Sequence, residues 1–340
     1  MALDLACRDA LRGAGLGFGG APLGNLFNAL AEDAAIALVR HAYENGARYF
    51  DTAPHYGNGL SERRIGAALR DMPRDSLLLS TKVGRILTAA PAAPRAQHGY
   101  VDVLPYVQHY DYSRDGVLRS LADSLQRLAQ ARIDFVFVHD LDVATHGDAF
   151  AGHFRELLHG GLPALAALKA DGTIRGYGLG VNSADVCLQT LRHFDLDMIL
   201  LAGRYTLLDQ SALSELLPEC TARDVGIVLG GPYNSGVLAS GAHPADGTPA
   251  YFNYAPAPPD IVARVAAIEA TCAQFGVPLA AAALQFPLAH PAVLNVIPGA
   301  RSIAEFDANL RFATWPIPQS LWKALRERQL IAADAPLPRS

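Results

Sequence analysis

Four ionisable side chains follow or end three successive apolar segments, and together they suit proton transfer to or from an oxygen atom. The first segment is followed by the acid Asp51 and the phenol Tyr56. The second segment ends in the ammonium group of Lys82, and the third ends in the imidazole of His139. A phenol with a pKa of about 10 is a poor acid or base at neutral pH without help. A neighbouring ammonium favours the phenolate, a carboxylate keeps that ammonium charged and oriented, and an imidazole donor can bind a carbonyl oxygen. We therefore predict reversible proton transfer at a carbonyl or hydroxyl oxygen while another group moves a hydride.

Eight apolar segments alternate with amphipathic segments along the chain. The predicted strands lie near 15–19, 48–51, 77–81, 135–139, 177–181, 198–201, 226–229 and 293–297. The predicted helices lie near 32–45, 60–70, 116–130, 161–170, 184–193, 211–223 and 261–275, with a last helix from 303. Apolar strands separated by helices favour a parallel sheet covered by helices. Eight such units predict the α/β class and a single-domain (β/α)8 TIM barrel over residues 1–340, whose chemistry lies at the C-terminal ends of its strands.

Two long segments interrupt this alternation. Residues 84–111 follow the third strand and are rich in Pro, Ala, Tyr and His, and residues 234–259 follow the seventh strand and are rich in Gly, Pro and aromatic residues. Loops of this length inside a compact domain are usually lids or binding loops. Because both leave the C-terminal ends of strands, we predict that they cover the same mouth of the barrel.

The composition limits the classes of function. The chain is 51% hydrophobic and 18% charged with a net charge of -5, which predicts a large core and no nucleic-acid partner. No apolar run is long enough to span a membrane and no signal peptide precedes the first strand, so we expect a cytoplasmic protein with a small-molecule substrate. The four cysteines are far apart, which favours reduced, buried thiols over a disulfide or zinc framework. These features do not indicate an oligomeric state.

The order and spacing of several motifs resemble the aldo-keto reductase family over nearly the whole chain. The motifs lie at 50–57 (FDTAPHYG), 61–62, 80–82, 138–139, 172–182 (GTIRGYGLGVN) and 296–301 (VIPGAR). The resemblance implies a (β/α)8 barrel that binds NADP or NAD without a Rossmann fold. It also implies that Tyr56 is the general acid/base. Lys82 and Asp51 would then set its pKa, and His139 would orient the substrate.

The same resemblance implies where the cofactor binds. Asn182 is expected to hold the nicotinamide carboxamide, and the phosphates are expected to meet the loops after strands seven and eight and a helix N-terminus. The further cofactor-binding candidates in these loops are Pro232, Asn234, Ser235, Gly236, Gly299, Arg301, Glu305 and Asn309. The Gly-rich segment 13–24 lacks the GxGxxG spacing of a dinucleotide fingerprint, so we interpret it as close backbone packing at the end of the first strand.

Two departures from the family pattern concern the cofactor. Many relatives place an aromatic residue after strand seven to stack on the nicotinamide, but residues 229–232 read Leu-Gly-Gly-Pro. We expect Tyr233 or Tyr205 to replace that aromatic. Basic residues usually surround the adenosine phosphate of NADP, whereas this chain offers Glu305 beside Arg301. A carboxylate repels a 2′-phosphate and accepts hydrogen bonds from ribose hydroxyls, so we predict that NAD is usable.

The segments 15–27 and 230–236 resemble a narrower subgroup of aldose and pyridoxal dehydrogenases, which oxidise a cyclic hemiacetal to a lactone. We predict oxidation of L-fucose or a related aldose at C1, with Tyr56 accepting the proton. Pyridoxal, or a simple aldehyde or ketone, is the alternative substrate. The predicted substrate-binding residues are Asn25, His55, His109 and Tyr112.

Two readings from other classes remain open on these residues. A metal-dependent isomerase or hydrolase would use His139, Asp140 and Asp142, but no further His or Glu constellation lies at the predicted strand ends, so we predict no metal site. A regulatory subunit that senses the cofactor would bind it without turnover. The complete set of four ionisable groups favours an enzyme.

Overall fold

Eight parallel strands form a barrel in the computed structural model, which describes residues 3–245 and 247–338. The strands of the described residues are, in chain order, β1 Phe18–Gly19, β2 Tyr49–Asp51, β3 Leu78–Val83, β4 Arg85–Ala89, β5 Tyr106–Tyr110, β6 Phe135–His139, β7 Gly176–Val181, β8 Met198–Ala202, β9 Gly226–Gly230, β10 Tyr251–Phe252, β11 Ala255–Pro256 and β12 Val293–Ile297. The barrel sheet has the order β1-β2-β3-β6-β7-β8-β9-β12, and every neighbouring pair in it is parallel. All eight predicted strands are therefore confirmed, the first of them shorter than expected.

The Gly-rich segment closes the barrel between β1 and β12. The amide of Gly17 donates to the Val296 carbonyl at 3.1 Å, and the amide of Gly19 donates to the Pro298 carbonyl at 3.0 Å. A Cβ atom at Gly17 would lie 2.5 Å from Cγ2 of Ile297, and one at Gly19 would lie 2.7 Å from the Ile297 carbonyl oxygen. Larger residues would force this seam apart, so the interpretation of the segment as close backbone packing is confirmed.

Helices surround the barrel and one closes its N-terminal end. The α-helices of the described residues are α1 Leu5–Gly13, α2 Glu32–Glu44, α3 Leu60–Leu69, α4 Arg114–Leu128, α5 Val143–His146, α6 Phe150–Glu156, α7 Leu162–Ala170, α8 Ala184–Leu191, α9 Leu216–Ala222, α10 Val237–Ser240, α11 Pro259–Gln274, α12 Leu279–Gln285, α13 Ile303–Ala313 and α14 Gln319–Glu327. Leu3, Cys7 and Leu11 at α1 belong to the same buried cluster as the barrel interior, which includes Phe135 and Met198. This end of the barrel is therefore filled, and the opposite end is left for a site.

The two long loops form hairpins at the open end. β4 pairs with β5 in the first loop, and β10 pairs with β11 in the second. The tip of the second hairpin, Asn253 and Tyr254, has positive φ angles of 48° and 62°. The ring of Tyr251 lies 6.1 Å from the ring of Phe27, which comes from the loop after β1. Because side chains from both loops line one cavity, the predicted common mouth is confirmed.

The four cysteines belong to the hydrophobic core. Cys7, Cys187, Cys220 and Cys272 are buried and free, as expected.

No single helix in the described ranges is long and apolar enough to cross a membrane. The pair formed by α11 and residues Leu279–Ala289 passes that test by length and composition only and is bent by 99°. Most residues of α12 are buried in the protein, which accounts for their apolar character.

Candidate active site

The four predicted catalytic side chains meet at the open end of the barrel. Asp51 ends β2, Lys82 lies in β3 and His139 ends β6, while Tyr56 lies on the loop between β2 and α3. Nζ of Lys82 lies 2.6 Å from Oδ2 of Asp51 and 2.9 Å from the Tyr56 hydroxyl. The rings of Tyr56 and His139 are 5.8 Å apart and nearly perpendicular. Parallel strands bring their C-terminal ends together, and this places the four groups side by side.

The ammonium group of Lys82 uses all three of its protons. It donates to Asp51 and Tyr56 and, at 2.9 Å, to the Thr52 carbonyl. The other carboxylate oxygen of Asp51 accepts from the Ser80 hydroxyl at 2.7 Å. The oxygen of Tyr56 thus accepts from Lys82, and its own proton is free for another acceptor. This arrangement fits a group that gives and takes one proton at a fixed point.

The pKa shifts describe the resting state of this site. Burial raises the pKa of Tyr56 well above its usual value, and it lowers the pKa of His139, with further lowering from Arg85 and Lys82. Burial also raises the pKa of Asp51, an effect that Lys82 opposes. Lys82 lies next to the Tyr56 oxygen and favours its phenolate, so it acts against the effect of burial. At rest the phenol is protonated and the imidazole is neutral.

A cavity of about 350 Å³ opens beside these groups. Its lining includes Tyr56, Lys82, His139, Asn182 and the predicted substrate residue His55. It also includes polar side chains that were not predicted to bind substrate, namely His98, Tyr100, Asp140 and Tyr254. Three of these four lie on the two hairpin loops. The length and aromatic content of these loops could therefore have identified them in the sequence as contributors to the substrate cavity.

The other predicted substrate residues do not line the cavity. Asn25 is buried, and its side-chain oxygen accepts from Arg64 at 2.8 Å. Tyr112 is buried and donates to the carbonyl of His139 at 2.9 Å. His109 is exposed on β5. Asn25 and Tyr112 therefore hold the backbone that carries the site, and the structure does not bring any of the three to the substrate space.

Two of the cofactor candidates after β9 form hydrogen bonds with neighbouring loops of the protein. The side-chain amide of Asn234 donates to the Gly203 carbonyl at 3.1 Å, and its oxygen accepts from Thr206 at 2.5 Å. The hydroxyl of Ser235 accepts from the Tyr254 amide at 3.0 Å, so it fixes the tip of the second hairpin. Next to them Pro232 is buried and Gly236, with a φ of 105°, precedes α10.

The loop after β12 presents the N-terminus of α13. The Ser302 hydroxyl accepts from the Glu305 amide at 3.1 Å, and the Glu305 carboxylate accepts from the Arg301 amide at 2.8 Å. Asn309 is buried in this helix and accepts from the Tyr233 hydroxyl at 2.7 Å. Gly299 bridges to β1 at the seam of the barrel. Arg301 in the loop and Glu305 in the first turn of α13 are exposed, so their side chains are accessible to a phosphate or a ribose.

No aromatic side chain lies at the end of β9, where Gly230 stands beside the cavity-lining residues Leu200 and Ala202. Tyr205 is fully buried against Phe286, and neither it nor Tyr233 lines the cavity. The expectation that one of these two tyrosines stacks on the nicotinamide is not supported. Tyr254 lines the same cavity as Asn182.

The acidic residues after β6 have partners other than a metal. Asp142 caps α5 by accepting from the Thr145 amide at 2.8 Å, and Asp140 pairs with Arg85 at 2.5 Å. Within residues 3–245 and 247–338, no three His, Cys, Asp or Glu side chains gather in a group that could hold a metal ion. The arrangement therefore gives no support to the metal-dependent alternative.

Known proteins resemble this chain over nearly its full length. A sequence model of the aldo/keto reductase family matches residues 15–329. The chain is 41% identical to a pyridoxal 4-dehydrogenase from Microbacterium luteolum over 96% of both chains. It is 38% identical to a D-threo-aldose 1-dehydrogenase from a Pseudomonas species over 93% of this chain and 94% of the relative. Its fold is similar to that of an aldo-keto reductase from Bacillus halodurans solved in its holo form, with a TM-score of 0.71, 25% identity and coverage of 94% and 93%.

Proposed function

The chain belongs to the aldo/keto reductase family and is an oxidoreductase, and on that premise we propose that it oxidises the ring hemiacetal of an aldose, such as L-fucose, at C1 to a lactone. The observation that carries this proposal is the Tyr56 hydroxyl, which lies 2.9 Å from Lys82 and faces a cavity with polar walls. The likeness to an aldose 1-dehydrogenase supports the choice of substrate class.

The side chains act on the anomeric hydroxyl in this mechanism. The deprotonated oxygen of Tyr56 takes the hydroxyl proton while the C–H bond at C1 breaks and the C=O bond of the lactone forms. Lys82 stabilises the negative charge of that phenolate oxygen before the transfer, and His139 holds the reacting oxygen. A bound nicotinamide dinucleotide supplies the acceptor for the hydride.

The residues at the mouth fit such a cofactor by the chemistry of their polar groups. The amide of Asn182 lines the cavity and offers a donor and an acceptor, which match a carboxamide. Ser302 caps α13, an 11-residue helix whose N-terminus favours a phosphate, and Arg301 stands next to it. Beside Gly230 at the end of β9, the side chains of Leu200 and Ala202 give the cavity an apolar wall for the nicotinamide ring.

The charge near α13 predicts the preference between the two cofactors. We propose that NAD is usable because the exposed Glu305 carboxylate repels a 2′-phosphate. The substitution Glu305→Gln removes that charge, so we expect the ratio of kcat/KM for NADP to that for NAD to rise about tenfold. Fluorescence titration of each cofactor gives the same ratio from dissociation constants. The exposed Glu327→Gln on α14 is the control, and an unchanged ratio in Glu305→Gln would refute the assignment.

The raised pKa of Tyr56 predicts opposite pH dependence for the two directions. The protonated phenol needed for reduction is present at neutral pH and is lost only as pH rises through the raised pKa. Oxidation needs the deprotonated oxygen, which is scarce at neutral pH. We therefore expect the oxidation rate to rise with pH, and the reduction rate to stay level or fall, from about pH 6 to 10. Initial rates in both directions measure this, and an oxidation rate that falls with pH would contradict the role of Tyr56.

Pyridoxal is the second candidate, because aromatic rings surround the reacting centre. Tyr100 stacks on Tyr56 with centroids 6.1 Å apart, and the ring of His55 meets the rings of Tyr100 and His98 at 5.3 and 5.5 Å. These faces suit a planar heterocycle. The hemiacetal chemistry would be the same as for an aldose.

A substrate screen tests the proposal directly. Purified protein is given NAD or NADP with L-fucose, other aldoses and pyridoxal, and formation of the reduced cofactor is followed by its absorbance. Simple aldehydes are tested in the reverse direction with the reduced cofactors. Efficient aldehyde reduction without oxidation of any hemiacetal would sink the lactone-forming function.

A further inference from the structure

One buried hydrogen-bond network connects two walls of the cavity. At its centre is Arg85, which is 4% exposed and does not line the cavity. Nη2 of Arg85 donates to Asp140 at 2.5 Å, and Nη1 donates to Gln108 and to Tyr110 at 3.0 Å each. The same oxygen of Gln108 lies 2.9 Å from Nδ1 of His55. The two ends of the network, Asp140 and His55, both line the cavity.

The network determines which nitrogen of His55 carries the proton. The amide of Asn58 donates to the Tyr106 carbonyl at 2.7 Å, so its oxygen is the acceptor for the Gln108 amide, also at 2.7 Å. Gln108 therefore turns its own oxygen to His55, and Nδ1 of His55 must be the donor. Burial, together with Arg85, lowers the pKa of His55 to about 3, so the ring is neutral. Nε2 is then an acceptor, and it has no hydrogen-bond partner among the described residues.

Asp140 forms the second acceptor. One of its carboxylate oxygens binds Arg85, and the other has no hydrogen-bond partner in the described part of the chain. Burial raises the pKa of Asp140, but the Arg85 guanidinium opposes this. The residue has a left-handed φ of 46°, which is unusual for a side chain with a Cβ and is found at functional sites. Oδ2 lies 3.5 Å from Nε2 of His139, so the carboxylate favours a proton on that nitrogen, where it can bind the reacting oxygen.

We propose that Asp140 and His55 each accept a hydrogen bond from a hydroxyl group of the substrate, and that this pair selects neutral polyhydroxylated substrates. The proposal rests on the proposed function and names its specificity-determining residues. Both acceptors lie beside the reacting centre. The ring of His55 lies 6.2 Å from the ring of Tyr56 and 5.5 Å from that of His139, and Asp140 lies 3.5 Å from Nε2 of His139. A hydroxyl-free substrate leaves both acceptors without a donor.

The charges around the cavity also exclude anionic substrates. Lys82 has no proton left for a ligand, and Arg85 is buried behind Asp140 and Gln108. In the described part of the chain, Lys82 is the only lysine or arginine that lines the cavity, so a phosphate would meet the Asp140 carboxylate and find no cationic hydrogen-bond donor with a free proton. We expect a sugar or hydroxyaldehyde to be accepted and its phosphate ester to be rejected.

The test compares two variants with matched controls on paired substrates. The variants are Asp140→Asn and His55→Phe, and the controls are the exposed Asp148→Asn and His159→Phe. The substrates for reduction are glyceraldehyde, glyceraldehyde 3-phosphate and the hydroxyl-free propanal, and those for oxidation are L-fucose and its deoxy analogues. In each variant we expect the ratio of kcat/KM for glyceraldehyde to that for propanal to fall about 10- to 100-fold, mainly through KM. The controls should keep the wild-type ratio.

Two further readouts separate recognition from general damage. Removing the hydroxyl that Asp140 binds should lower kcat/KM in the wild type but not further in Asp140→Asn. The discrimination against glyceraldehyde 3-phosphate should weaken in Asp140→Asn and persist in His55→Phe. Thermal unfolding is recorded for all variants, and His55→Phe tests selectivity without removing the carboxylate partner of Arg85.

The experiment distinguishes failure of the proposed function from failure of the proposed roles of Asp140 and His55. Wild-type protein that oxidises no hemiacetal refutes the proposed function, and the glyceraldehyde and propanal pair still tests the acceptors. Variant ratios equal to the wild-type ratio overturn the acceptor pair, even if aldoses are oxidised well.

Discussion

The substitution Tyr56→Phe lowers kcat by about 10³-fold or more in both directions, because it deletes the only atom of this side chain that exchanges a proton. The phenyl ring should keep its place, since Tyr56 stacks on Tyr100 at a centroid distance of 6.1 Å and an angle of 29°. The proton of Lys82 that now binds the Tyr56 oxygen loses its acceptor, but the Asp51 and Thr52 contacts remain. We therefore expect a folded protein that binds the cofactor and turns over very slowly.

Steady-state and single-turnover rates with a hemiacetal and with an aldehyde measure this loss. Fluorescence titration of the cofactor shows whether binding is retained. The neighbouring Tyr100→Phe is the matched control, because Tyr100 is buried and lines the same cavity, while the three hydrogen bonds of Lys82 in the described structure go to other residues. We expect its effect to be less than about tenfold. Turnover close to that of the wild type in Tyr56→Phe would rule out the catalytic assignment.

The substitution Lys82→Met should both inactivate the enzyme and lower its free energy of unfolding by about 3–5 kcal/mol. Lys82 and Asp51 are 1% and 2% exposed at the side chain and lie 2.6 Å apart. Removing the ammonium leaves the Asp51 carboxylate buried without a counter-charge. Such a group is strongly destabilising until it takes up a proton.

The double variant Asp51→Asn with Lys82→Met separates the two effects. The introduced amide is uncharged and its oxygen can still accept from Ser80, so most of the lost stability should return while turnover stays low. Urea unfolding gives the free energies. The exposed Arg119→Met, which breaks a 3.8 Å pair with Asp123, should cost less than about 1 kcal/mol. A double variant that is less stable than Lys82→Met alone would contradict a purely electrostatic origin.

The barrel and its catalytic groups were predictable because they follow from short-range patterns. Apolar segments such as 135–139 have the length and composition of buried strands, and their ends were predicted correctly within a few residues. Parallel pairing then places whatever ends each strand at a common edge, which is why Asp51, Lys82 and His139 were found together. The first strand was predicted too long, since Gly17 bonds across the seam to β12 without joining a regular strand.

The remaining features depend on contacts between distant parts of the chain. Polar residues such as Asn25 and Tyr112 were assigned to the substrate, but Arg64 and the His139 backbone bind them instead. Asp140 was visible as an acid after a strand, whereas its pairing with Arg85 depends on how the first hairpin folds back. The raised pKa of Tyr56 depends on its burial, which is a property of the whole fold.

The order of the functional residues along the chain has a consequence for recombination between genes. The four groups that handle the proton lie between Asp51 and His139, and the candidates that hold the cofactor lie between Asn182 and Asn309. The turn at Gly172, which has a φ of 81° and open space around it, separates the two sets. A single crossover in this turn would join one parent's proton chemistry to another parent's electron carrier. The seams β6–β7 and β1–β12 would need to match, and so would contacts between the halves such as the packing of α13 on α2. Chimeras of this kind offer a direct route to enzymes that keep their proton chemistry and change their coenzyme.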